Sequence, residues 1–146
     1  MKSAILALLC AALLIAGCST RAPTRGEIAI DSTSTSAPEA ALSGRPFCLH
    51  IKYKNNWYYY YSENYAEASI TDGACNSPGS ARQIEHIGLG WRYKGESESS
   101  KQCASASICT FSERNYGVAK EINCVAASAR DGNWSAHAST DHVACQ

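Results

Sequence analysis

Residues 111–117, FSERNYG, have a degenerate copy in residues 60–66, YYSENYA, and each copy leads into a cysteine and a Ser-Ala-Arg triplet. Two copies of one pattern in so short a stretch constrain the fold more than composition does, because they imply one supersecondary unit used twice. With Asn115 and Tyr116 laid on Asn64 and Tyr65, Phe111 falls on Tyr60 and Ala119 on Ala68. After short slips Cys124 falls on Cys75, Ser128-Ala129-Arg130 on Ser80-Ala81-Arg82, and Trp134 on Trp91. Slips of this kind belong in hairpin loops, so the expected repeated unit is β.

The local patterns agree. In residues 48–53, Leu49, Ile51 and Tyr53 alternate with Cys48, His50 and Lys52, which is the period of a half-buried strand. Residues 57–61 are aromatic throughout and read as a core strand, with Lys54-Asn55-Asn56 as the turn between the two. Residues 125–129 and 134–138 flank Arg130-Asp131-Gly132-Asn133, where glycine supplies the positive φ of a tight hairpin. Residues 88–93 read as a turn entering a strand, and the polar stretch 95–102 reads as the link between a first half, 45–94, and a second, 101–146. Around residues 64–69 a short helix competes with strand, and the echo favours strand.

Before the β domain, residues 4–16 are apolar and follow Lys2, a run too short for a permanent membrane span and suited to an export signal. The run ends in Ile15-Ala16-Gly17-Cys18, which resembles the bacterial lipobox. The resemblance implies removal of residues 1–17, a diacylglycerol on Cys18, and, with Ser19 rather than aspartate next, delivery to the outer membrane. Several acyl chains, at about 0.8 kcal/mol per buried methylene, would make such an anchor permanent. Residues 18–44 then form the anchor and a tether. The 26 residues from Ser19 to Gly44 are rich in Ser, Thr, Ala and Pro and lack a sustained apolar period. As a coil they would hold the domain, residues 45–146, roughly 25–30 Å from the lipid. Ile28-Ala29-Ile30 is the one patch in that tether able to add a strand to something.

Loss of residues 1–17 removes Lys2 and leaves 12 Lys plus Arg against 13 Asp plus Glu, with the signs interspersed. Without a concentrated basic field nothing points to nucleic acid, and the tyrosine run lacks the basic flanks of a base-stacking platform.

Six cysteines remain once Cys10 is cleaved off and Cys18 is lipidated: Cys48, Cys75, Cys103, Cys109, Cys124 and Cys145. In an exported chain an even number over about a hundred residues implies three disulfides. Zinc is disfavoured, since no CxxC pair occurs and His50, His86, His137 and His142 are scattered. Of the 15 pairings that six cysteines allow, the duplication suggests Cys48–Cys75, Cys109–Cys124 and Cys103–Cys145.

The spacing of aromatics carries a further resemblance. Tyr60 with Tyr65 and Phe111 with Tyr116 keep a four-residue gap, and Ser80 and Ser128 follow at a similar distance. A Gly-to-Trp strand start completes a pattern that resembles the βγ-crystallin superfamily, including its small disulfide-bonded peptidase inhibitors. The resemblance implies an all-β, duplicated Greek-key β-sandwich, in which each aromatic pair covers a folded hairpin and the serine caps its backbone. The family places glycine two residues after the second aromatic, where this chain has Glu67 and Val118, with Gly117 one place early. Crystallin-type calcium loops are reduced here to Asn76 and Ser80, with Asn123 and Ser128 in the second copy, so a weak site is the most these residues would make, and no cofactor is expected.

No nucleophile elbow, phosphate loop or zincin helix is present, and His137 with Asp141 and His142 is the best catalytic constellation, so the chain reads as a non-enzyme. Two function classes remain. By analogy with the inhibitor family, Cys124, Val125 and Ala126, continuing to Ala127, would be a disulfide-held loop that docks in a secreted hydrolase, with an inward-facing strand as the competing and favoured reading of the same residues. Alternatively, exposed aromatics among Trp57, Tyr58, Tyr59 and Trp91 would recognise glycan, peptidoglycan or an envelope protein. An exposed Val125 favours the first class, and a contiguous exposed aromatic face favours the second.

Overall fold

The computed structural model describes residues 26–36 and 45–140. The signal segment, Cys18, Ser19, Asp141, His142 and Cys145 lie outside them. Among the described residues the fold is all-β, with strands β1 (Gly26–Thr33), β2 (Thr35–Ser36), β3 (Phe47–Trp57), β4 (Tyr61–Asp72), β5 (Ile84–Tyr93), β6 (Glu98–Ala106), β7 (Ile108–Tyr116), β8 (Ile122–Asp131) and β9 (Trp134–Ser139). All pairings between strands are antiparallel. A first sheet has the order β1-β3-β4-β7 and a second the order β2-β9-β8-β5-β6.

Alternation in the sequence sets which faces meet. Leu49, Ile51 and Tyr53 of β3, with Ala66, Ala68 and Ile70 of β4, form the inner face of the first sheet. Against them pack Ile87, Leu89, Trp91 and Tyr93 of β5, Val125, Ala127 and Ala129 of β8, and Ala136 and Ala138 of β9. The two sheets therefore enclose one apolar core, the arrangement of a β-sandwich. Phe111 of β7 closes its side by stacking on Trp91, with ring centroids 3.9 Å apart.

The hairpin at residues 130–133 forms as expected, with Asp131 paired to Trp134 and Gly132 at φ 58°. The first hairpin turns later than expected. Asn55 and Asn56 stay in β3, paired with Asn64 and Glu63, and the turn falls on the tyrosines instead. Asn55 is buried, and its amide bonds the backbone of Ile122 across the sandwich, a partner that a turn asparagine would forgo. Residues 95–102, expected as a link, contribute the hairpin turn at Gly95 and the start of β6. β6 lies at the edge of the second sheet with both faces largely exposed, so its polar composition is compatible with strand.

The expected tether is interrupted by structure. Ile28-Ala29-Ile30 lies inside β1, which pairs with β3 over eight rungs from Gly26↔Asn55 to Thr33↔Cys48. Ser34 then carries the chain to the second sheet, exchanging hydrogen bonds with the backbone of Phe47.

The two copies of the echo are neighbours within a single sheet. β4 and β7 pair so that Glu63 lies opposite Arg114, Ser62 opposite Asn115 and Tyr61 opposite Tyr116. Residues expected to be equivalent lie in different settings. Tyr65 is partly buried and donates to the Glu67 carboxylate, whereas Tyr116 is 70% exposed. Ser80-Ala81-Arg82 lies in the crossing from β4 to β5, whereas Ser128-Ala129-Arg130 lies inside β8. Arg82 ion-pairs with Asp72 and Asp131 and so ties that crossing to β8. Among non-glycine residues only Ser105 has positive φ in the described residues, so Gly117, at φ 75°, makes the left-handed turn and Val118 is spared it.

Of the expected disulfides, Cys48–Cys75 is present. Cys103 joins Cys109 rather than Cys145, which also removes the Cys109–Cys124 pairing. These two cysteines close the hairpin-like passage from β6 to β7, and their Cα atoms are 5.7 Å apart, within bonding reach. Cys124 is also disulfide-bonded.

Candidate functional site

The strand ends at Trp57, Tyr61, Tyr93, Tyr116 and Ile122 collect the largest exposed rings in the described residues at one end of the sandwich. The β3–β4 turn is closed by the Tyr58 N–H donating to the Tyr61 carbonyl at 2.9 Å. Its rings support one another outside the core. Tyr58 stacks on Tyr61 with centroids 4.5 Å apart, Tyr59 meets Tyr60 edge to face at 4.5 Å, and Tyr116 leans on Tyr61 at 5.8 Å. The Arg114 guanidinium lies 4.8 Å over the Tyr61 ring and is held by the Glu63 carboxylate. Tyr59 is 90% exposed, Tyr60 75%, and Tyr58 and Val118 are exposed beside them.

A buried polar network fixes this end. The Asn64 amide donates to Asn55 Oδ1 at 2.8 Å and to the Lys120 carbonyl at 3.0 Å, and Ser62 Oγ accepts from the Lys120 N–H at 3.1 Å. Asn115 donates to Asn64 Oδ1 at 3.2 Å. The β7–β8 loop is thereby held against the β3–β4 hairpin without a core residue of its own. Beside the rings opens a concavity of about 330 Å³, lined by Trp57, Tyr93, Lys94, Glu96, Val118 and Lys120. Lys120 pairs with Glu96 at 2.8 Å, which raises the ammonium pKa, and sits 4.9 Å over the Tyr93 ring. The buried indole N–H of Trp57 has no hydrogen-bond partner among the described residues. Apolar ring faces beside fixed donors and acceptors make a surface suited to reversible contact.

The remaining sequence candidates separate. Cys124, Val125 and Ala126 lie within β8 rather than in a loop, with Cys124 and Val125 buried, Val125 at 0% exposure. Trp91 is core. Asn76 and Ser80 are exposed in the β4–β5 crossing, and the Ser80 carbonyl accepts from the Asp72 N–H. Among the described residues no three His, Cys, Asp or Glu side chains cluster as metal ligands. His137 is exposed on β9, on the rim of a shallow trough of about 380 Å³ that it shares with His86, Ser128 and Arg130 on the outer face of the second sheet.

One constellation escaped the sequence reading because its members sit on three strands. Asp31 Oδ1 lies 2.7 Å from His50 Nδ1, and His50 Nε2 lies 2.8 Å from Thr71 Oγ1. With Nδ1–H donating to the carboxylate, Nε2 accepts from the hydroxyl, the order of a nucleophilic triad. The three side chains form a row across β1, β3 and β4 on the outer face of the first sheet, next to the Cys48–Cys75 disulfide, and tie β1 to its neighbours.

Comparison with known proteins finds no matching family model, no matching curated protein and no matching solved structure.

Proposed function

We propose that this chain is a lipid-anchored protein of the bacterial outer membrane, attached through Cys18, that works as a binding module and not as an enzyme. Its contact surface is the tyrosine end. The observation that carries this reading is the joint exposure of Tyr58, Tyr59, Tyr60 and Tyr116, of which Tyr59 meets Tyr60 edge to face while Tyr58 and Tyr116 pack on Tyr61. Solvent-facing rings gain nothing from water, whereas rigid aromatics with polar tips supply much of the energy at contact surfaces at low entropic cost. The polar network behind them pre-organises the surface before any partner arrives. As to ancestry, the exchanges of the chain between sheets support a crystallin-like duplicated Greek key, while the unlike settings of Tyr65 and Tyr116 count against it.

The test is retention of the mature chain carrying Cys18→Ser, which removes the lipid, on washed envelope membranes and on peptidoglycan sacculi. Replacing Tyr59 and Tyr60 together by serine should lower retention about tenfold or more. Retention that ignores both substitutions would overturn the assignment of the contact surface.

A further inference from the structure

The partner of the tyrosine end follows from where the chain enters the fold. The register places Gly26, the first residue of β1, opposite Asn55, two residues before Trp57 and the tyrosine turn. The N-terminus of β1 thus emerges at the tyrosine end. Resting on the reading of Cys18 as the lipidated residue, we infer that this end seats on the lipid surface that holds the anchor, with Tyr58, Tyr59, Tyr60, Tyr116 and Val118 in the headgroup layer.

Lengths decide between this orientation and its reverse. Eight residue steps separate Cys18 from Gly26, a span of at most ~29 Å when fully extended and ~16 Å as a coil. From the tyrosine end β8 runs from Ile122 to Asp131, a rise of ~30 Å, and the Gly132–Asn133 turn lies farther still. Bringing that far turn to the membrane would exceed a fully stretched leader, while the tyrosine end lies within its relaxed reach.

The chemistry fits the same surface. A tyrosine buries its ring in the acyl boundary and keeps its hydroxyl among headgroups, which is why this residue collects at membrane interfaces. Near the rings Glu63 pairs with Arg114 and Glu96 with Lys120, Lys94 and Glu121 line the same concavity, and Arg21 and Arg25 stand in the sequence between Cys18 and β1. The rings are what seats the domain and they need no anionic headgroup, so a zwitterionic lipid surface suffices.

The experiment uses the acylated mature protein in phosphatidylcholine nanodiscs carrying a paramagnetic label on a fraction of the headgroups. The expected result is selective loss of the amide signals of residues 58–61 and 116–118, with those of Gly132 and Asn133 retained. Replacing Tyr59 and Tyr60 by serine should restore the signals of residues 116–118. Intact mass reads the acylation separately: a chain without acyl groups overturns the anchor and the seating with it. An acylated chain whose far turn is broadened as strongly as its tyrosine end overturns the seating alone. So does one whose tyrosine signals respond to added peptidoglycan fragments and not to the labelled lipid.

Discussion

Asn55 and Ile122 exchange two hydrogen bonds across the sandwich: the Asn55 amide donates to the Ile122 carbonyl at 2.9 Å, and the Ile122 N–H donates to Asn55 Oδ1 at 2.9 Å. A side-chain amide here does what a neighbouring strand would do. Both residues are buried, so neither backbone group has water as a substitute. Asn55→Ala should cost about 2–4 kcal/mol in urea unfolding, more than its volume implies, because it leaves both groups of Ile122 unpaired. It should also speed amide exchange at Lys120 and Ile122, since the β7–β8 loop loses its hold on the hairpin.

Alkaline pH should weaken the fold through two tyrosines. Burial, and then the Glu67 carboxylate that accepts its hydrogen bond and repels the phenolate, push Tyr65 up to about 12. Tyr93 is raised by burial and by Glu113, which accepts its hydroxyl at 2.6 Å. An unfolded tyrosine titrates near ~10, so the folded state holds these protons more tightly. Their contribution is complete below about pH 10 and is lost as pH rises, for Tyr65 toward about 12 and for Tyr93 higher still. Urea midpoints should fall through that window, and Tyr65→Phe should make the fall shallower.

The two described disulfides close loops of different length, with sequence separations of 27 for Cys48–Cys75 and 6 for Cys103–Cys109. On loop entropy alone, opening the first should cost about 1.3 kcal/mol more than opening the second. Paired serine substitutions followed by denaturant titration measure the difference. Peptide mapping of the oxidised mature chain should recover both pairs and find Cys124 joined to Cys145, the cysteine left over once Cys18 is acylated.

The row Asp31–His50–Thr71 offers a direct check on the non-enzymatic reading. A fluorophosphonate probe should leave Thr71 unmodified, as read by peptide mass, because the row lies along an outer sheet face as a tie between strands. An adduct at Thr71 that His50→Gln abolishes would make the row catalytic.

Strand periodicity was legible wherever one face met the core. Leu49, Ile51 and Tyr53 point inward as their alternation implies, and Asp131-Gly132 turns the hairpin. What was not legible depended on partners distant in sequence. Asn55-Asn56 has turn chemistry, and only the backbone of Ile122 keeps Asn55 in a strand. β6 looks like a linker because an edge strand with little core contact needs few apolar residues. β1 was masked by a composition suited to a tether, although Ile28-Ala29-Ile30 hinted at it. The run of tyrosines looked like core because aromatic residues usually are. Its exposure follows from where the turn falls, four residues later in the chain than Lys54-Asn55-Asn56.

The eight-rung pairing of β1 with β3 also governs how the fold meets mechanical load. Under the anchoring proposed above, tension would enter at Gly26, directed away from the body of β1 and along its axis. In that geometry the rungs are strained in shear and share the load together, whereas a pull across the sheet would peel them one after another. The His50 row and the crossing at Ser34 brace the same strand along its length. If the proposed lipid anchor loads the chain, the domain would resist along its strongest direction, with β1 as the grip.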